Sequence, residues 1–228
     1  MNNQIIDERR FSLNDFYARV YSLLGLGISI SAIVSFLTLT VFQANVVNII
    51  NNHGWILPVT WVIELITVFA LSSSASKDGA MALPGFIFYS ALNGFTISFT
   101  LAYYDLGSVT QAFVVAAVMF FALAFYGSRT KQSLTGIGKA ARAGLIGLIV
   151  ASIIFIFTGG GVFNLVISIA GVLIFSGLIA YDNQAIKNVY NGMQGEVTSG
   201  QAINLALSLY LDFINLFLSL LRIFGSKD

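Results

Sequence analysis

The sequence predicts an all-α polytopic membrane protein, a seven-transmembrane-helix bundle with a central last helix. Three observations predict it. Of 228 residues, 57% are apolar and only 9% are charged, against about 25% charged in ordinary soluble domains. The mean hydropathy is +0.86. The apolar residues also gather in seven runs, each near the roughly 20 residues that a helix needs to cross a bilayer.

Those runs are residues 20–42, 55–71, 83–103, 110–126, 143–158, 162–181 and 203–224. They are longer than the ~10-residue alternating segments of a transmembrane β-barrel and do not alternate, so helices are predicted. The second opens with Pro58, tolerable in a first turn whose N–H has no intrahelical partner. The fifth is short and can borrow a turn from 139–142. Gly159, Gly160 and Gly161 predict a tight turn before the sixth; no Gly-Lys-Ser/Thr follows, so they are not a phosphate loop. The expected organisation is a cytoplasmic tail at 1–19, one transmembrane domain at 20–225 and a short tail at 226–228. The first 19 residues mix acids with arginines ahead of a span-length apolar run, unlike a secretory signal.

Lysine and arginine give the orientation, because they concentrate in cytoplasmic loops. With the N-terminus inside, nine of the eleven basic residues are cytoplasmic, and only Arg222 and Lys227 lie at the far end. Seven crossings then put the C-terminus outside. A re-entrant last segment would place all eleven inside, but the unbroken helical pattern of 203–224 favours a crossing. Trp55, Trp61, Tyr103, Tyr104 and Tyr126 fall near span ends, as interfacial anchors do.

Composition excludes much. There is no cysteine, so disulfides, thiolate metal sites and thiol nucleophiles are absent. The single histidine, His53, lies in a loop. A serine-type intramembrane hydrolase lacks its base and any Gly-x-Ser-x-Gly, and a zinc type lacks ligands. No span holds an interior lysine for a retinal Schiff base. A formal charge of +1 is too small to bind nucleic acid electrostatically. No enzyme and no resident cofactor are expected.

The informative residues are those that hydrocarbon should reject. Asp212 lies near the middle of the last span, Glu64 midway along the second, and Asp182 closes the sixth. An aspartate at a helix centre costs about 2.5–3.5 kcal/mol on insertion scales, so each acid is a functional candidate. In the last span Asn204, Ser208, Asp212, Asn215, Ser219 and Arg222 follow helical spacing over five turns and should share one face. Tyr89, Asn93, Thr96, Thr100 and Tyr103 repeat the pattern in the third span, and Thr60, Glu64 and Thr67 in the second. These faces predict a last helix flanked by the second and third, with Glu64, Asn93, Asn204, Ser208, Asn215 and Ser219 lining a pathway. Ala140, Gly144, Gly147 and Ala151 form a small-residue stripe expected to pack closely on a neighbour. Asp182 leaves on the cytoplasmic side, whereas Asp212 lies ~14 Å beyond the start of its helix. The two meet only if the sixth span dips inward or the last helix begins in the cytosol.

Both acids stand in recognisable words. The stretch from Ala206 to Phe217, ALSLYLDFINLF, resembles the last-helix signature of the Bax inhibitor (transmembrane Bax inhibitor motif) family, and Ala180-Tyr181-Asp182-Asn183-Gln184 is similar to its Tyr-Asp-x-Gln element. With the span count and Glu64, the resemblance covers nearly the whole chain and points to a bacterial-type member. It implies a calcium-permeable leak gated by a hydrogen-bonded aspartate pair that senses pH, with more leak in acid. Carried over, the pair is Asp182 and Asp212, which would also touch the permeant Ca2+ transiently. The family's basic latch after the second span has Lys77 as its candidate here. The implied partners are the bilayer, protons and Ca2+, in a monomeric pathway of a bacterial plasma membrane. Two neighbouring carboxyls in low dielectric share a proton and titrate as a unit. A proton-coupled cation antiporter and a non-conducting membrane scaffold are the competing readings; saturable, counter-gradient-dependent flux marks the first and absence of flux the second.

Overall fold

The computed structural model describes residues 12–76 and 81–225. Among these it forms eight helices: α1 (Leu13–Thr40), α2 (Gln43–Asn52), α3 (Ile56–Ser76), α4 (Ala82–Leu101), α5 (Leu106–Arg129), α6 (Thr135–Thr158), α7 (Gly161–Gly192) and α8 (Ser199–Phe224). Six are long and apolar enough to cross a membrane, and Val59–Ala75 within α3 is a shorter apolar helix. The chain is an integral, multi-pass membrane protein.

Local chemistry sets the ends. Ser12 and Asp15 form a reciprocal capping box that starts α1 at Leu13, two turns before the apolar run that opens at Val20. Thr198 and Gln201 do the same for α8. Gly159 and Gly160 take positive φ (63° and 106°) between α6 and α7, the tight turn expected from three glycines. Asp105 caps α5, accepting from the Ser108 amide at 2.9 Å and the Ser108 hydroxyl at 2.5 Å. Those bonds, led by the Ser108 side chain, hold the Asp105 carboxyl below its ordinary range. A carboxyl lowered in the fold stabilises above its unfolded pKa and loses that contribution as pH falls through its folded value. Asp105→Ala should therefore lower the thermal midpoint near neutral pH, with the gap closing as the solution is acidified.

Three expectations need correction. The sixth span does not close at Asp182: α7 continues to Gly192, nearly three turns further. Polar residues after Asp182 ended the apolar run without ending the helix. The segment between the first two spans holds a short helix, α2, which buries Val46 and exposes Val47; its many asparagines concealed it. The small-residue stripe of α6 does not form its packing face. Ala140 and Gly147 are exposed, and a Cβ on Gly147 would meet nothing within 4 Å, whereas one on Gly144 would touch Ile174. Gly138 and Ala141 are buried instead.

Of the long helices α8 has the largest buried share, and it touches α1, α3, α4, α5 and α7. In lipid, helices associate through close van der Waals fit rather than exclusion from water. Two contacts illustrate it. A Cβ on Gly94 of α4 would lie 2.6 Å from the Ser31 carbonyl oxygen of α1, and one on Gly127 of α5 would lie 2.1 Å from the Ala180 carbonyl oxygen of α7. Only glycine permits these backbones to approach so closely. Aromatic edges complete the core: Phe213 of α8 meets Phe113 and Phe120 of α5, and Tyr210 meets Phe86 and Tyr89 of α4. Phe121, beside Phe120, points outward, as do Trp55, Trp61, Tyr103 and Tyr126.

Candidate functional site

The extension of α7 is what brings the acids together. Asp182 lies ten residues before the end of α7, about 15 Å, and Asp212 lies thirteen residues into α8, about 20 Å. The helices α7 and α8 pack against one another, which brings the two side chains near enough for each carboxyl to feel the other's charge. Asp182 is 8% exposed and Asp212 5%. Asp212 Oδ2 is buried with no hydrogen-bond donor in reach. A buried acceptor without a donor is costly.

One cation faces the pair. Arg142 of α6 places Nη2 4.0 Å from Asp182 Oδ1, and its guanidinium lies over the Tyr181 ring, 4.9 Å from the centroid. The Arg142 side chain is 63% exposed, so solvent screens this ion pair. Lys77 lies outside the described residues. Sequence reasoning placed Arg142 only in a basic cluster. Its alignment over Tyr181 depends on how α6 packs on α7, and no local pattern reports that.

The word around Asp182 is tied down on every side. Tyr17 donates to the Asn183 carbonyl oxygen at 3.2 Å, and Tyr21 donates to Asn183 Oδ1. Gln184 accepts from the Leu134 amide and donates to the Gln132 carbonyl, both at 2.8 Å. Asn183 thus binds α1, and Gln184 the α5–α6 loop.

A second polar cluster lies on another side of α8, at Tyr210. Tyr210 of α8 donates to Asn93 Oδ1 at 2.8 Å and shares a 2.6 Å bond with Ser31 of α1. Asn93 Nδ2 donates to Glu64 Oε1 at 3.3 Å. The chain Glu64–Asn93–Tyr210–Ser31 links α3, α4, α8 and α1. Glu64 and Asn93 are brought together as expected. Tyr210 and Ser31 were missed as site residues, because a tyrosine in an apolar word and one serine among several give no spacing signal. Tyr210→Phe should cost about 1–3 kcal/mol of stability, since it strands a buried amide oxygen. The loss is measurable as a lower thermal midpoint in detergent.

The remaining stripe residues separate. Asn204 Oδ1 accepts from Ser72 of α3 at 3.2 Å. Asn215 Nδ2 donates to the Leu211 carbonyl, and Ser219 Oγ to the Asn215 carbonyl, within α8. Ser208 is half-buried beside them, and Arg222, on the same face near the end of α8, is exposed. A fixed 3.6-residue period does not say how far a neighbouring helix extends over that face. Among the described residues, no three His, Cys, Asp or Glu side chains converge as a metal site.

Known proteins share this whole arrangement of sequence. A profile of the family described as "Inhibitor of apoptosis-promoting Bax1" matches residues 13–228. The chain is similar to an uncharacterized membrane protein of Streptococcus pyogenes serotype M1, 51% identical over all of both chains. It is similar to the uncharacterized protein YrjE of Lactococcus lactis subsp. lactis, 47% identical over 98% of this chain and 96% of that one. It also resembles the inner membrane protein YbhL of Escherichia coli K12, 35% identical over 97% and 96%. With a profile match across nearly its full length and relatives aligned end to end, the chain belongs to the Bax inhibitor family.

Proposed function

We propose that the protein is a pH-sensitive cation leak pathway, permeable to Ca2+, gated by the Asp182–Asp212 pair. The supporting observation is the meeting of two buried acids on neighbouring helices, with Asp212 Oδ2 lacking any donor but a shared proton. In this reading α3 completes a set of seven crossings, α8 is the axis, and the N-terminus is cytoplasmic. The inner membrane placement printed for the Escherichia coli relative suits a bacterial plasma membrane, with the pathway inside one monomer.

The arrangement corresponds to a closed state. Asn215 and Ser219 point their donors at carbonyls of their own helix, and Asn204 Oδ1 is held by Ser72, so these side chains are turned to helix partners rather than to an ion. Opening requires the α7–α8 contact to loosen, which frees Asp182 and Asp212 to face the ion. Glu64, Asn93, Asn204, Ser208, Asn215 and Ser219 then line its path. Calcium takes 6–8 oxygen ligands. Two carboxyls supply too few to trap it, which suits a permeant ion.

Arg142 takes the role of the basic latch. Its positive charge beside Asp182 favours the ionised carboxylate, so a proton entering the pair works against it. Arg142→Gln should move the pH at which flux changes to a higher value, and Arg142→Lys should leave it near that of the unaltered protein. Calcium-dye-loaded liposomes read at a series of pH values test the reading. A flux that saturates and requires a counter-gradient makes the protein an antiporter instead. No flux at any pH makes it a scaffold.

A further inference from the structure

Away from the polar face, α1 and α5 approach α8 from two sides. α1 packs on α4 and α8, and α5 packs on α7 and α8, leaving a seam between them. Two cavities occupy it. One, of about 690 Å³, runs from Tyr21 and Gly25 of α1 to Ala117, Phe121 and Ser128 of α5, with Phe213 of α8 in its wall. The second, of about 500 Å³, continues toward Leu39 and Leu106 and shares Ile28, Phe113 and Phe213 with the first. From Ser128 to Leu106 the seam follows α5 for about 33 Å, close to the ~30 Å thickness of bilayer hydrocarbon.

The first cavity ends among positive charges. Arg129 follows Ser128 directly, and its guanidinium lies over the ring of Phe125, 5.3 Å from the centroid, with Phe125 itself lining the groove. Arg129 and Lys131 are both exposed, and neither forms an ion pair among the described residues. A transmembrane helix is too large for the space: three turns, about 10 Å across, displace on the order of 1200 Å³. An alkyl chain fits a narrow wall of aromatic rings, and a phosphate fits the cations at its mouth.

We propose that the α1–α5 seam is a binding site for an anionic phospholipid, with its phosphate at Arg129 and Lys131 and one acyl chain lying in the groove against Phe213. The helices give hydrocarbon-lined access from the bilayer, and Phe121 and Phe125 extend into it, 66% and 65% exposed. Gly25 keeps the groove open, since a Cβ there would meet nothing within 4 Å. The bound chain lies one residue from Asp212. The site does not depend on whether the protein conducts ions.

The test is native mass spectrometry of the full chain released from nanodiscs of equal dioleoyl-phosphatidylglycerol and dioleoyl-phosphatidylcholine. The unaltered protein should retain phosphatidylglycerol in preference. Each basic residue near an anionic surface contributes about a fivefold preference. Arg129→Gln with Lys131→Gln should bring the two lipids to near-equal retention, whereas Lys139→Gln, exposed and outside the groove, should change nothing. Gly25→Leu should fill the groove and remove the retained lipid of either kind. Ala117→Phe, from the opposite wall, gives the same outcome should the first variant fail to fold. Equal retention of both lipids by the unaltered protein overturns the proposal. So does a Lys139→Gln effect as large as that of the Arg129 and Lys131 pair, or undiminished lipid retention in a folded groove-filling variant.

Discussion

Asp212→Asn is expected to flatten the pH response of calcium flux in dye-loaded liposomes. Asparagine preserves the shape of the side chain and can still donate to Asp182, but it cannot exchange a proton. The shared proton is then lost: Asp182 still titrates, but alone beside Arg142, and a gate that reads a proton held between two acids loses that signal. Asp182→Asn should flatten the response as well, because a shared proton requires both acids. Asp212 is 5% exposed and forms no ion pair among the described residues, so the substitution removes a group that is costly to ionise in place. The variant should fold and keep its thermal midpoint or raise it. That separates loss of sensing from loss of structure. A variant with unaltered flux and an unaltered pH response would remove the pair from the gate.

The second large effect is expected from Gly127→Val. A Cβ at this position would sit 2.1 Å from the Ala180 carbonyl oxygen and 2.9 Å from its carbon. Both are backbone atoms, so no side-chain rotation relieves the clash. The helices α5 and α7 must move apart at their closest contact, at a cost of about 1–3 kcal/mol or more. Ala180 lies two residues before Asp182, so the displacement also draws Asp182 out of register with Asp212. The expected results are a lower thermal midpoint in detergent and a weakened pH response. Gly136→Ala is the control, because a Cβ there meets nothing within 4 Å. Equal midpoints for the two variants would show that α5 and α7 have room the structure does not display.

Much of this architecture is legible in the residues. Each expected apolar run overlaps one helix, and the turn at Gly159 and Gly160 and the burial of Asp212 follow from composition and period. The words around the two aspartates carried the family. What escaped is instructive. Helix α7 continues past its apolar run because the polar residues after Asp182 have helix partners of their own, Tyr17 and Tyr21 for Asn183 and the α5–α6 loop for Gln184. A hydropathy boundary marks where hydrocarbon ends, not where a helix ends. Arg142 and Tyr210 gave no spacing signal because their partners lie on other helices, far away in the chain.

The sequence by itself determined that this chain lives in a membrane, which stretches are apolar enough to form its long helices, and which few side chains hydrocarbon would not tolerate. These are properties of single segments, set by transfer free energy and helical period. Only the tertiary structure decided that Asp182 and Asp212 feel each other's charge, that Arg142 rather than another described base faces them, and that Glu64 connects through Asn93 and Tyr210 to Ser31. Those relations depend on how α7 packs against α8 and on backbone approaches such as Gly127 against Ala180. Contacts of that kind arise between residues distant along the chain, so no local pattern encodes them.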